Sequence, residues 1–94
     1  MAIVRLVTFE GVSTDRVNEM RDEMQGQQPP EGLNAKEIIV LHDPDVERST
    51  VLVFFDNEDD YRQGDEILNA MPAGDTPGQR TSVSKHNVAF RQAM

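Results

Sequence analysis

"STVLVFFDNEDDYRQGDEIL", residues 49–68, decides the fold. Its first part, TVLVFFD (50–56), is a run of β-branched and apolar residues and reads as a strand. Alternation puts Val51, Val53 and Phe55 on one side of it and Leu52 and Phe54 on the other, so both sides are apolar. Asp56 or Asn57 then caps a helix, and Glu58, Asp59 and Asp60 fall in its first turn, where the dipole favours acids. Tyr61, Gly64, Leu68 and Met71 recur at helical spacing as its buried stripe, with Ile67 flanking, and Pro72 stops it.

Upstream of this unit, KEIIVLH (36–42) reads as a strand joined to TVLVFFD by the hairpin loop DPDVERS (43–49). AIVRLVTF (2–9) is a further strand, offering Ile3, Val7 and Phe9 on one side and Val4 and Leu6 on the other. Ser13 is a good N-cap, Asp15 lies in the first turn after it, and Val17, Met20 and Met24 form one stripe of a helix that ends at Gly26. QQPPEG (27–32) is a breaker-rich loop. Downstream, MPAGDTPGQR (71–80) resembles a phosphate-cradling loop, but it follows a helix and lacks the Gly-Lys-Ser/Thr end, so a connector is the better reading. TSVSKHNVAFR (81–91) is the last strand.

The order is β-α-β-β-α-β, which predicts a ferredoxin-like α+β fold. One four-stranded antiparallel sheet would carry both helices on one face. That leaves an apolar face uncovered, and a second copy packing sheet to sheet would cover it. The expectation is a single domain over 1–94 that forms a homodimer.

The 94 residues carry 17 acids against 9 Lys and Arg, a formal net charge of −8, with no cysteine. Such a chain repels nucleic acid and anionic membranes and offers no thiolate metal site or disulfide. No stretch has the roughly 20 apolar residues of a membrane span, and the amino terminus lacks the marks of a signal peptide, so a cytoplasmic location is expected.

The element order, the length, the two-sided apolar sheet and STVLVFFDNEDDYRQGDEIL together resemble the dimeric α/β barrel superfamily, which includes antibiotic-biosynthesis-type monooxygenases and stress-responsive barrel proteins. The resemblance implies a small-molecule pocket between the helices and the sheet. It also implies, in some members, oxidation of a phenolic or enolic substrate without metal or flavin. Haem-degrading members carry a Trp on the sheet and a His on the second helix. This chain has no Trp, and both its histidines fall on strands, so no cofactor is expected.

Candidate site residues follow from chemistry. His86, mid-strand, is the candidate catalytic base; His42, followed by Asp43 at a strand end, is a weaker one. Arg5 interrupts an apolar strand and needs a carboxylate or a ligand oxygen, Glu37 being one internal partner. Gly64 on a buried helix stripe leaves a notch that serves either close packing or a pocket walled by Tyr61. Arg80 could meet an acidic or enolic oxygen from the last loop. DNEDD (56–60) lacks the Gly and Glu of a calcium loop and reads as helix capping, so no metal site is expected. Two functions remain open: a cofactor-independent oxygenase of a phenolic or enolic substrate, and a non-catalytic ligand-binding or dimerisation module.

Overall fold

The computed structural model describes residues 2–26, 32–70 and 78–94. The elements are β1 (Ile3–Glu10), α1 (Thr14–Gly26), β2 (Glu37–Asp43), β3 (Arg48–Phe55), α2 (Glu58–Asn69) and β4 (Gln79–Asn87). The strands form one sheet in the order β2-β3-β1-β4, and each neighbouring pair is antiparallel. This is the ferredoxin-like arrangement. Residues 71–77 of the connector expected over 71–80, Met71 and Pro72 among them, and residues 27–31 of the loop expected over 27–32 lie outside the described residues.

Register fixes the faces. Ile3, Arg5, Val7 and Phe9 of β1 pair across with Phe55, Val53, Val51 and Ser49 of β3, and Ile38, Val40 and His42 of β2 continue the same side. This is the helix side. It holds the buried residues Ile3, Val7, Phe9, Val53 and Phe55, joined by Val12 from the β1–α1 link. The Val12 N–H donates to the Glu47 carbonyl at 2.8 Å, which pins that link to the β2–β3 turn.

Ser13 caps α1 as expected, its hydroxyl accepting from Arg16 N–H at 3.1 Å. The cap of α2 is Asn57. Its Oδ1 accepts from Asp60 N–H at 2.8 Å, and its Nδ2 donates back to Asp60 Oδ2 at 3.1 Å. α2 packs on β1 and β3. α1 meets the core through Val17, against the cluster of Val7, Phe9 and Val12.

The other face of the sheet carries Val4 and Leu6 of β1, Leu52 and Phe54 of β3, and Ile39 and Leu41 of β2, paired in register. Leu41 is 54% exposed, whereas Val4, flanked by Phe54 and His86, is buried. The expected two-sided apolar pattern is therefore present in space, with one side under the helices and one side open.

One element departs from expectation. β4 runs Gln79–Asn87 rather than 81–91: it takes in Arg80, expected on the loop, because Phe9 and Glu10 pair with Arg80 and Gln79, and it stops where its partner begins at Ile3, opposite Asn87. Past that point Val88 N–H donates to Ala2 O at 2.9 Å, and the tail leaves the sheet. Arg91 comes back over the Phe54 ring, 4.9 Å from its centroid, and pairs with Glu37.

Candidate functional site

The helix side of the sheet presents two candidate regions, one under each helix. Under α1, Val17, Met20 and Met24 face Ile38 and Val40 of β2 across a cleft of about 630 Å³, with Arg21 and Gln25 also in its lining. The cleft exists because α1 is held to the core at its N-terminal end. Val17 is half-buried and Met20 likewise, but Met24 one turn further is 44% exposed, and Ile38 opposite is also 44% exposed.

Under α2 a polar line runs beside an apolar contact. Tyr61, Asp65 and Asn69 stand at successive i, i+4 positions, so they stack along one line of the helix. β1 and β4 answer with cations. Lys85 pairs with Glu58 and lies 5.1 Å from the centre of the Tyr61 ring. Arg5, 4% exposed, donates from Nε to Asp65 Oδ1 at 2.9 Å and from Nη2 to Asn69 Oδ1 at 3.0 Å. Arg80 donates from Nη1 to the same Asn69 Oδ1 at 2.8 Å. Partial burial and the neighbouring Asp65 raise the Tyr61 pKa above that of an ordinary phenol, while Arg5 and Lys85 partly offset the rise. At neutral pH this phenol is a donor and not a base.

Arg5 is thus in a structural ion pair, but its carboxylate is Asp65 and not Glu37, which is engaged by Arg91. Register explains the difference. Glu37 pairs with Phe54 on the open side of the sheet, whereas Arg5 faces the helices.

The notch expected at Gly64 is filled. A Cβ there would lie 2.5 Å from Cε1 and Cζ of Phe55 and 3.1 Å from Leu33 Cδ1. The glycine lets α2 descend onto the Phe55 ring, which in turn meets Tyr61 edge to face at 5.7 Å. Close packing, one of the two readings of this position, accounts for it.

His86 stands on the open side, in register with Val4, and is exposed rather than buried. β4 is an edge strand and ends one residue later, so no further strand shields it. Its Nε2 lies 2.9 Å from Ser84 Oγ. Tyr61 lies on the helix side, so the candidate base and the candidate pocket wall fall on opposite sides of the sheet. It lines a polar surface depression with Ile3, Glu58, Lys85 and Asn87.

His42 faces the helices. Its Nδ1 is 2.8 Å from the hydroxyl of fully buried Ser49, and its Nε2 is 3.3 Å from Thr14 Oγ1 at the start of α1. Asp43 does not orient it; that carboxylate accepts from Asp45 N–H at 3.0 Å.

The acids of DNEDD each have a protein partner. Asp56 meets Lys36 at 3.5 Å, Asp59 meets Arg62 at 3.9 Å, and the Asp60 carboxylate accepts from Asn34 at 3.2 Å and from Asn57 Nδ2 at 3.1 Å. Among the described residues no cluster of His and carboxylates is arranged to hold a metal, and no described helix is long and apolar enough to cross a membrane.

Sequence reading missed Asp65, Asn69 and Lys85. The signal was there for two of them. A buried arginine on a central strand needs an acid, and Tyr61, Asp65 and Asn69 share the helix line next to the Gly64 stripe. No protein-family model matches the chain, and neither a curated protein nor a solved structure matches it.

Proposed function

We propose that this protein is a homodimeric, non-catalytic binding module built like a dimeric α/β barrel, taking a small phenolic or other aromatic ligand between α1 and the sheet. The observation that carries the reading is the cleft of about 630 Å³ lined by Val17, Met20, Met24, Ile38 and Val40. Its size falls in the range of small-molecule pockets, about 300–1,000 Å³, but the polar depression beside His86 is equally large, so the apolar lining selects the cleft. Two methionines suit an aromatic guest, since thioether sulfur packs well at ring edges and adapts to shape. Arg21 and Gln25 give the lining two polar groups for a ligand hydroxyl.

Binding is favoured over oxidation because the candidate base is not where such a substrate would sit. Deprotonating a phenol or enol requires a base within hydrogen-bond reach. His86 is across the sheet, His42 is engaged by two hydroxyls, and the Tyr61 phenol holds its proton. Dimerisation enters through the apolar face away from the helices, where Leu41 is exposed and Leu6, Ile39, Leu52 and Phe54 are half-buried, a row of the kind a second sheet covers.

The test is a thermal-shift and NMR screen with phenols and naphthols. A saturable response centred on α1 and β2 is expected. Ile38→Trp places an indole in the cleft from a half-exposed strand position and should abolish the response without unfolding the protein. No response in the wild type, or binding that survives Ile38→Trp, would sink the reading.

A further inference from the structure

Beneath the last turn of α2, two guanidiniums meet on one neutral oxygen. Arg5 from β1 and Arg80 from β4 both donate to Asn69 Oδ1, at 3.0 and 2.8 Å. One carboxylate, Asp65, lies beside them, on Arg5 Nε at 2.9 Å. Among the described residues, two cations meet one anion here, a balance of +1 in a chain of net charge −8. Arg5 cannot turn to solvent for relief, because it is 4% exposed. Asn69, by contrast, is exposed and is the last residue of the helix, so its amide can rotate outward while the backbone stays in place.

An amide oxygen between two guanidiniums is a weak version of what they bind best. Charge-assisted hydrogen bonds to a carboxylate are roughly twice as strong as those to a neutral acceptor, and the planar fork of arginine matches a carboxylate edge. We propose that Arg5 and Arg80 form a binding site for a small carboxylate, whose oxygen takes the place of Asn69 Oδ1 between the two guanidiniums. Charge selects the ligand class. A monoanion balances the one uncompensated guanidinium; the carbonyl end of α2 opposes any anion here, and opposes a phosphate dianion, which also faces Asp65, more than a monoanion. The site is separate from the cleft under α1 and shares no lining residue with it. Failure of one therefore leaves the other standing.

The experiment titrates the wild-type dimer or monomer, as purified, with sodium acetate and sodium benzoate against sodium chloride at matched ionic strength. The readouts are the arginine Nε–H signals by NMR and the melting temperature. Saturable shifts of the Arg5 and Arg80 signals are expected. Arg80→Gln, an exposed substitution, should weaken binding at least tenfold. Asn69→Asp supplies the carboxylate from the chain itself; it should raise the melting temperature in chloride and remove the response to acetate. The proposal is overturned if the wild type gives no saturable response, or if Asn69→Asp responds to acetate as the wild type does. Tighter binding of inorganic phosphate than of acetate overturns the assignment to carboxylates.

Discussion

A β-carbon added to Gly64 would stand 2.5 Å from two atoms of the Phe55 ring, well inside van der Waals contact, and Phe55 is fully buried with nowhere to move. Glycine inside a helix ordinarily costs about 1 kcal/mol against alanine, so Gly→Ala at an exposed helix position stabilises. Here the sign reverses. Gly64→Ala should lower stability by about 1–3 kcal/mol through overpacking, and Gly64→Leu by more, as read from urea unfolding curves. A more stable Gly64→Ala would mean that α2 does not sit on Phe55 as described. Tyr61 offers a second test at this scale, and it is the chain's single tyrosine, with no tryptophan to mask it. Phenolate absorbance should titrate above the ordinary value of about 10. The sign for stability follows. A folded-state pKa raised above the unfolded one gives stability that is fully present below pH of about 10 and is lost as pH rises through the folded value. Tyr61→Phe should remove that part of the alkaline loss. A midpoint at or below 10 would contradict the burial and the Asp65 contact.

The two helices are attached by different physics, and that predicts different mobility. α2 is fixed by Gly64 on Phe55 and by the Arg5–Asp65 pair, whereas α1 has no fully buried residue and depends on Val17, the Ser13 cap and the His42–Thr14 contact at its first turn. Amides of α1 should therefore exchange with solvent faster than those of α2 and of β1 and β3. His42→Ala should speed exchange in α1 severalfold, the loss of about one neutral hydrogen bond, and leave β1 unchanged. Equal protection of both helices would refute the hinge-like attachment on which the cleft depends. Much of this level was legible in the sequence. Ser13, Asn57 and the strand alternation placed the elements, because caps and periodicity are local signals. What was not legible is non-local. Val17, Met20 and Met24 reveal which side of α1 is apolar but not how closely it packs. Val88 and Phe90 carried the β4 alternation past Asn87, although the partner strand begins at Ile3. The register that sends His86 to the open side and Arg5 to Asp65 depends on strand pairing across the whole chain, and no short stretch encodes it.

At the scale of the molecule, the open face and the net charge pull against each other. In a sheet-to-sheet dimer, Leu6, Ile39, Leu41, Leu52 and Phe54 would favour association, while each copy would bring a charge of −8 to the encounter. If the sheets pair through these apolar side chains, the attraction is non-directional and insensitive to screening, and the repulsion is the part that salt removes. Raising sodium chloride from about 0.01 M to about 1 M shortens the Debye length from about 30 Å to about 3 Å. The dimer fraction measured by analytical ultracentrifugation at low micromolar concentration should then rise. An interface built on ion pairs such as Arg48–Glu10 or Arg91–Glu37, both at the margins of this face, would respond in the opposite direction. Substitution separates the two further. Leu52 sits in register between Leu6 and Ile39 at the centre of the face, so Leu52→Asp would put an unpaired charge into the apolar contact. It should give a folded monomer at every salt concentration, with circular dichroism unchanged, because the side chain points away from the helix-side core. Val53→Asp, one residue along and on the other side, should instead unfold the chain, since Val53 is 4% exposed beneath α2. A dimer that weakens with salt, or that survives Leu52→Asp, would place the interface somewhere other than the open face of the sheet.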